Sequence, residues 1–233
     1  MAINRSVRYR FIFKDGQAID ISLKFDAETL QLDSDENCSP HLWAELARNT
    51  CKYCKLDPST HRYCPPAAQL GWILEKFNGV NSYEEVMVEV ADDTRSYSKY
   101  TTVQEGLGAL LGIIMPTSGC PALKPLRPMV RFHLPFASFE ETEYRMVTMY
   151  LFAQYLRQQQ GKTSDWSLEM LRDIYKSISD INLSFASRLP TELSGNAGIN
   201  ALVILDCFAQ SIPKAIDKMM CNFNPIFAPL IEL

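Results

Sequence analysis

V-R-Y-R-F-I-F-K-D-G-Q-A-I-D-I-S-L-K-F, residues 7–25, is the stretch whose reading decides the fold. Val7, Tyr9, Phe11 and Phe13 alternate with polar or mixed residues, and Ile19, Ile21, Leu23 and Phe25 repeat the pattern beyond Asp15-Gly16. A period of two marks strands with one face in a core and the other in water. The faces then select the turn. A two-residue loop of Asp15 and Gly16 would pair Phe11 with Asp20 and put the two apolar sets on opposite faces. A three-residue loop, Lys14-Asp15-Gly16, pairs Phe11 with Ile19 and Tyr9 with Ile21 on one face. It also sets Gly16 at the left-handed position of a type I turn with a bulge. The three-residue register is therefore expected.

Outward from this hairpin, Asp26-Ala27-Glu28 forms a second turn, and residues 29–32 are expected as a short third strand. An acidic linker, residues 33–37, leads to a short helix with Ser39 as N-cap and Pro40 first, burying Leu42, Trp43, Leu46 and Ala47. Pro65-Pro66 opens a helix to about Phe77 that turns Leu70, Ile73, Leu74 and Phe77 inward, and Gly79 ends it. Val86, Val88 and Val90 mark a strand, and residues 95–100 its antiparallel return. Thr102-Val103-Gln104-Glu105 has the capping-box form, predicting a helix from Val103 to about Ile114 that Pro116 stops. Gly106, Gly108 and Gly112 lie on it. Each costs about 1 kcal/mol against alanine, so close packing is expected to compensate.

Residues 116–136 hold five of the thirteen prolines and form a long irregular connection. A second capping box, Ser138 to Glu141, starts a helix to about Gln160 with an apolar side of Met146, Met149, Tyr150, Phe152, Ala153 and Leu156. Asp165 or Ser164 caps a helix from Trp166 to about Leu189, and another runs from about Asn196 to Gln210. Pro213 begins a separate segment to Cys221, and the apolar tail 222–233 must dock on its own body or on another subunit. The fold class is α+β in a single domain. A mixed part, 1–115, carries a small antiparallel sheet with short helices, and residues 116–136 join it to a bundle of longer helices in 137–233.

The 233 residues, 47% apolar and 21% charged, can fill a core, which excludes wholesale disorder. A net charge of −4 and a pI near 5.5 argue against a nucleic-acid partner. The apolar runs at 107–115 and 201–205 fall short of the roughly twenty residues of a spanning helix, and no secretory leader is visible. The expectation is a cytoplasmic protein without a membrane partner. Seven cysteines, an odd count, then fit reduced thiols or metal ligands better than a disulfide framework.

Three of those thiols and an imidazole fall between Cys51 and Cys64, at the spacing C-x2-C-x6-H-x2-C. Cys51, Cys54, His61 and Cys64 make a candidate Cys3His zinc tetrahedron, with a turn at Asp57-Pro58 and Cys64 at a helix start that favours the thiolate. The H-x2-C half is tighter than in familiar zinc fingers, so the match is local. A variant replaces His61 by Cys120. Four thiolates hold zinc or, as a second choice, an iron–sulfur cluster, whose compact run of cysteines is missing here. Cys38 and His41 form another C-x2-H pair that helix capping explains without a second metal. Cys51 and Cys54 also have redox-dithiol spacing, but without a clear βαβ setting. His133, with Glu140 and Glu141 nearby, is a candidate metal or acid–base group whose plainer role is to tie down a loop. No phosphate loop, G-x-S-x-G or H-E-x-x-H is present.

The segment C-x2-C-K-L-D-P-x2-H-x2-C-P, with T-T-V-Q-E-G-L, S-G-C-P, R-F-H-L-P-F-A-S-x-E-E-T and D-W-S-L, resembles an uncharacterised bacterial family, a domain of unknown function, over residues 9–209. The resemblance implies a bacterial source, one conserved unit and a composite site drawn from the Cys/His segment, Cys120 and His133. It brings no activity. The expected function is that of a non-enzymatic protein with a structural zinc, acting through a protein partner or self-assembly. The alternative is a metal- or thiol-dependent enzyme, or a redox sensor, using the composite site.

Overall fold

The computed structural model describes residues 5–33, 40–48, 50–189 and 196–233, with no side chains described at 217–222. Strands β1 (Arg5–Phe13) and β2 (Ala18–Phe25) form the opening hairpin. Phe11 pairs with Ile19 and Tyr9 with Ile21, and Gly16 has φ +85°, so the three-residue loop is the one the chain uses. Strand β3 (Glu85–Asp92) pairs antiparallel with the other edge of β1, and β4 (Ser96–Thr102) pairs with β3, giving the order β2-β1-β3-β4. Tyr9, Phe11, Ile21, Leu23, Val86, Val88 and Val90 are buried on the covered face.

Helices α1 (Pro65–Lys76) and α2 (Val103–Thr117) supply that cover. Just beyond α1, the Phe77 ring meets Phe11 edge-on at 4.9 Å. Gly106 is where α2 comes closest to the sheet: a Cβ there would stand 2.6 Å from Phe11 Cε1 and 2.9 Å from Val88 Cγ2. Close packing thus explains Gly106, whereas a Cβ on Gly112 would meet nothing within 4 Å. The capping box expected at Thr102 does not close. Among the described residues the Thr102 hydroxyl is buried without a partner, and the Glu105 side chain turns back to accept from Thr101 and to pair with Lys99 at 3.4 Å. Pro116 sits inside the last turn of α2, where Thr117 Oγ1 donates to the Ile113 carbonyl at 2.7 Å.

The connection after α2 lies over the body. It holds a 3-10 turn at Lys124–Leu126 and the short helix α3 (Arg127–Arg131). Arg127 donates to the Thr29 carbonyl at 2.8 Å and to Gln31 Oε1 at 2.6 Å. The third strand expected at 29–32 reduces to one bridge, Phe25 to Leu32, because the Leu32 N–H is taken by the Thr117 carbonyl at 2.9 Å. The helix expected from Pro40 is two 3-10 turns, Leu42–Ala44 and Leu46–Arg48; its N-cap Ser39 lies outside the described residues. An extended bridge between Glu45 and Tyr63 interrupts the helical path, so Ala44 and Leu46 are buried and Leu42 is left 64% exposed.

The C-terminal half consists of α4 (Phe139–Gln159), α5 (Glu169–Ala186) and α6 (Ala197–Ile231). The capping box of α4 closes both ways, with Glu141 N–H donating to Ser138 Oγ at 3.1 Å and Ser138 N–H to Glu141 Oε2 at 2.7 Å. Its expected apolar side is only partly used: Met146 and Val147 are buried, but Phe152 is 62% exposed beside Tyr155 and Leu156, because little of the fold packs there. Helix α5 begins at Glu169 rather than Trp166. Asp165 accepts the N–H groups of Ser167 and Met170 at 3.1 and 2.8 Å, and Leu168 turns through φ +65°.

Helix α6 runs through Pro213 instead of breaking there. Its buried side continues through Ala209, Ile212 and Ile216, and Arg172 Nη1 donates to the Pro213 carbonyl at 2.6 Å. The first part, Ala197–Ile216, is long and apolar enough to cross a membrane by length and composition, contrary to the sequence reading; in this fold it packs on α2 and α5. The tail docks partly on its own chain, with Phe223 and Phe227 at 5.6 and 5.9 Å from the Tyr144 ring of α4.

Two of the three glycines of α2, Gly106 and Gly112, make opposite predictions. Gly106→Ala forces α2 off Phe11 and Val88 and is expected to cost ~1–3 kcal/mol despite alanine's better helix propensity. Gly112→Ala meets nothing and is expected to gain up to ~1 kcal/mol. Urea unfolding of the two variants measures both.

Candidate functional site

The segment from Cys51 to Cys64 is shaped by its own backbone. Cys54 N–H donates to the Cys51 carbonyl at 3.0 Å, closing a tight turn across the C-x2-C pair. Asp57 opens the next turn as expected, accepting from the N–H of Ser59 at 2.9 Å on its side chain and from that of His61 at 2.9 Å on its carbonyl. Cys64 is the N-cap of α1, and its N–H donates to the Ala44 carbonyl at 2.8 Å, which brings the 3-10 turns against the cysteines.

Cys120, on the loop after α2, joins this group. Cys51 lies near enough to Cys54 and Cys64 to feel their charge, and Cys120 near enough to Cys64 and Cys51. Backbone N–H groups face three of the sulfurs: that of Tyr53 at Cys51, that of Ala67 at Cys64, and those of Ala122 and Leu123 at Cys120. Burial nevertheless dominates and pushes these three thiols up, so the helix start at Cys64 does not by itself yield a thiolate, as its sequence position would suggest. Arg188 carried no signal in the sequence. It follows α5, is buried, has no hydrogen-bond partner for Nε or Nη1 among the described residues, and faces Cys64, with which it makes a side-chain hydrogen bond, and Cys51 with its charge. It also lies over the Phe185 ring at 5.4 Å. As placed, the sulfurs do not close around one point: among the described residues no three His, Cys, Asp or Glu side chains are gathered tightly enough to hold a metal ion.

The histidines stand apart from the thiols. His61 is exposed, with Nδ1 at 2.9 Å from Thr60 Oγ1. His41 packs over Gly71 and pairs with Glu75 at 3.2 Å, and Cys38 lies outside the described residues. His133 is on the sheet side, with Nε2 at 2.6 Å from the hydroxyl of Tyr9. Burial holds the Tyr9 phenol protonated, and its hydroxyl and His133 Nε2 share one hydrogen bond. Burial, with Arg145 and Arg5 nearby, pushes the His133 pKa down to about 3, and no cysteine is among the groups acting on it.

His133 instead lines a cavity of about 500 Å³ between α2, the 120–136 connection and the C-terminal helices. Its walls are mostly apolar, and Arg145, Tyr175 and Asn182 also line it. Arg145 Nη2 donates to the Met129 carbonyl at 3.0 Å and to that of Phe132. Phe136, also in the wall, holds φ +62°, a conformation uncommon for a bulky residue.

A neutral His133 has a pH consequence. Its folded pKa lies below its unfolded value near 6.5, so the unfolded chain takes up the proton first and stability falls as pH drops from about 6.5 toward 3. Between pH 6.5 and 4.5, above most carboxylate titrations, the expected loss is roughly 1 kcal/mol per unit and at most ~1.4. His133→Gln, which keeps an acceptor for Tyr9, is expected to flatten that slope in urea midpoints taken across this range.

No curated protein and no solved structure matches this chain. One family model does, and it spans residues 7–228, so the thiol group, the His133 contact and the cavity all lie within it. The chain belongs to the family described as a domain of unknown function, DUF6901.

Proposed function

We propose that this is a non-catalytic binding protein whose N-terminal half is stapled by one structural zinc ion on Cys51, Cys54, Cys64 and Cys120. The observation that carries this reading is the convergence of these four thiols, from three separate chain segments, beside buried Arg188. A tetrathiolate zinc centre carries two negative charges in a buried setting and depends on N–H donors and a nearby cation to hold them. The N–H groups of Tyr53, Ala67, Ala122 and Leu123 and the guanidinium of Arg188 are such donors. Without a metal, neutral buried thiols leave the Arg188 charge without an anion among the described residues; with one, the thiolates supply it.

The thiolate set takes Cys120 in place of His61, and His133 belongs to a different environment, which favours a structural centre over a composite catalytic one. Reduced thiols in such a centre fit a cytoplasmic location. The exposed aromatic side of α4, Phe152, Tyr155 and Leu156, is the surface through which we propose contact with a protein partner or a second copy.

Metal analysis of protein purified without chelator is expected to find about one zinc per chain. Cys54→Ser and Cys120→Ser are expected to lose the metal and to melt well below the parent, whereas Cys207→Ser, at an exposed cysteine, leaves both unchanged. A visible iron–sulfur chromophore replaces zinc by a cluster on the same ligands. Protein that stays metal-free after incubation with zinc, with all thiols titrating freely, overturns the reading.

A further inference from the structure

The cavity beside His133 combines a greasy interior with a few polar side chains. Leu111 and Met115 of α2, Leu126 and Met129 of the connection, Ile178 of α5 and Phe208 of α6 form its apolar walls. Its volume of about 500 Å³ falls in the range of small-molecule pockets. Gly112 lines it too, and a Cβ there would meet nothing within 4 Å. In the interior of α2 that glycine costs about 1 kcal/mol against alanine and packs against no neighbour in return. What it leaves is room.

The polar groups sit on α4 and α5. Tyr175 and Asn182 are seven residues apart on one face of α5, 7% and 3% exposed, and neither side chain makes a hydrogen bond among the described residues. Both line the cavity, where a bound ligand can reach them. Arg145 adds a positive charge next to Tyr175; its guanidinium donates to two neutral carbonyls and forms no salt bridge among the described residues. Glu105, the carboxylate among the lining residues, is paired with Lys99 at 3.4 Å.

We infer that this cavity binds an aliphatic carboxylate of medium chain length, with its tail against α2 and α6 and its carboxylate accepting from Arg145 and Tyr175, which lie next to each other. An unbranched tail suits walls of Leu, Met, Ile and Phe, and a single anionic head matches one guanidinium with one neutral donor. This site is separate from the thiol group and stands whether or not that group holds zinc.

Isothermal titration calorimetry of the full chain with dodecanoate, below its micellar concentration, tests the inference. The expected result is saturable one-to-one binding in the micromolar range, and at least roughly tenfold weaker binding of dodecan-1-ol, which lacks the charge. Gly112→Phe fills the cavity from a position with open space and is expected to abolish binding without lowering the melting temperature. Arg145→Met is expected to weaken dodecanoate at least roughly tenfold and to leave dodecan-1-ol unchanged. Should that variant fail to fold, the acid–alcohol contrast on the parent chain decides the head-group assignment. No saturable binding by the parent, or unchanged binding by a folded Gly112→Phe, overturns the site; equal binding of acid and alcohol overturns the anionic ligand.

Discussion

The approach of α2 to the sheet at Gly106 is the constraint on which the rest of the structure depends. Strand β1 is central, with β2 on one side and β3 on the other, and its buried aromatic, Phe11, needs a cover that fits its ring. Only a residue without a side chain lets the helix backbone settle over Phe11 and Val88 at this distance. Once α2 is seated, its far side faces α6, its C-terminal end delivers Cys120 to the other thiols, and Gly112 and Met115 become a cavity wall. A single close contact thereby places both candidate sites.

The N-terminal half was readable because its signals are local and reinforce one another. The faces of β1 and β2 admitted one register, valines marked β3, and Pro65 and Gly79 bounded α1. Readings failed where a distant partner took over a local preference. Thr102 lost its capping box because Glu105 found Thr101 and Lys99, and the helix after Pro40 gave way to pairing with Tyr63. Pro213 looked like a break, yet α6 continues, with Ala209, Ile212 and Ile216 buried on either side of it and its carbonyl held by Arg172.

For the sites, spacing pointed to the C-x2-C pair and Cys64 but had no means of choosing between His61 and Cys120 as their companion. The loop after α2 brings Cys120 close, while the Asp57 turn leaves His61 in water. Arg188, Tyr175 and Asn182 carry no sequence signal, since one arginine, one tyrosine and one asparagine on or after an amphipathic helix read as ordinary surface and core. Their meaning comes from where the packed fold buries them, Arg188 beside the thiols and Tyr175 and Asn182 in the cavity wall.

The contact between Tyr9 and His133 also bears on how the chain reaches this structure. The two residues are 124 positions apart, and Arg5 donates to the Arg131 carbonyl across 126. Ser82 is held by Asn196 and Asn200, 114 and 118 positions later. Contacts of such separation form late and slow the search for the native state. During synthesis the sheet therefore emerges long before the groups that seal it. The ribosome releases a hairpin with an uncovered greasy face, and the contacts that seal it wait for the second half of the chain.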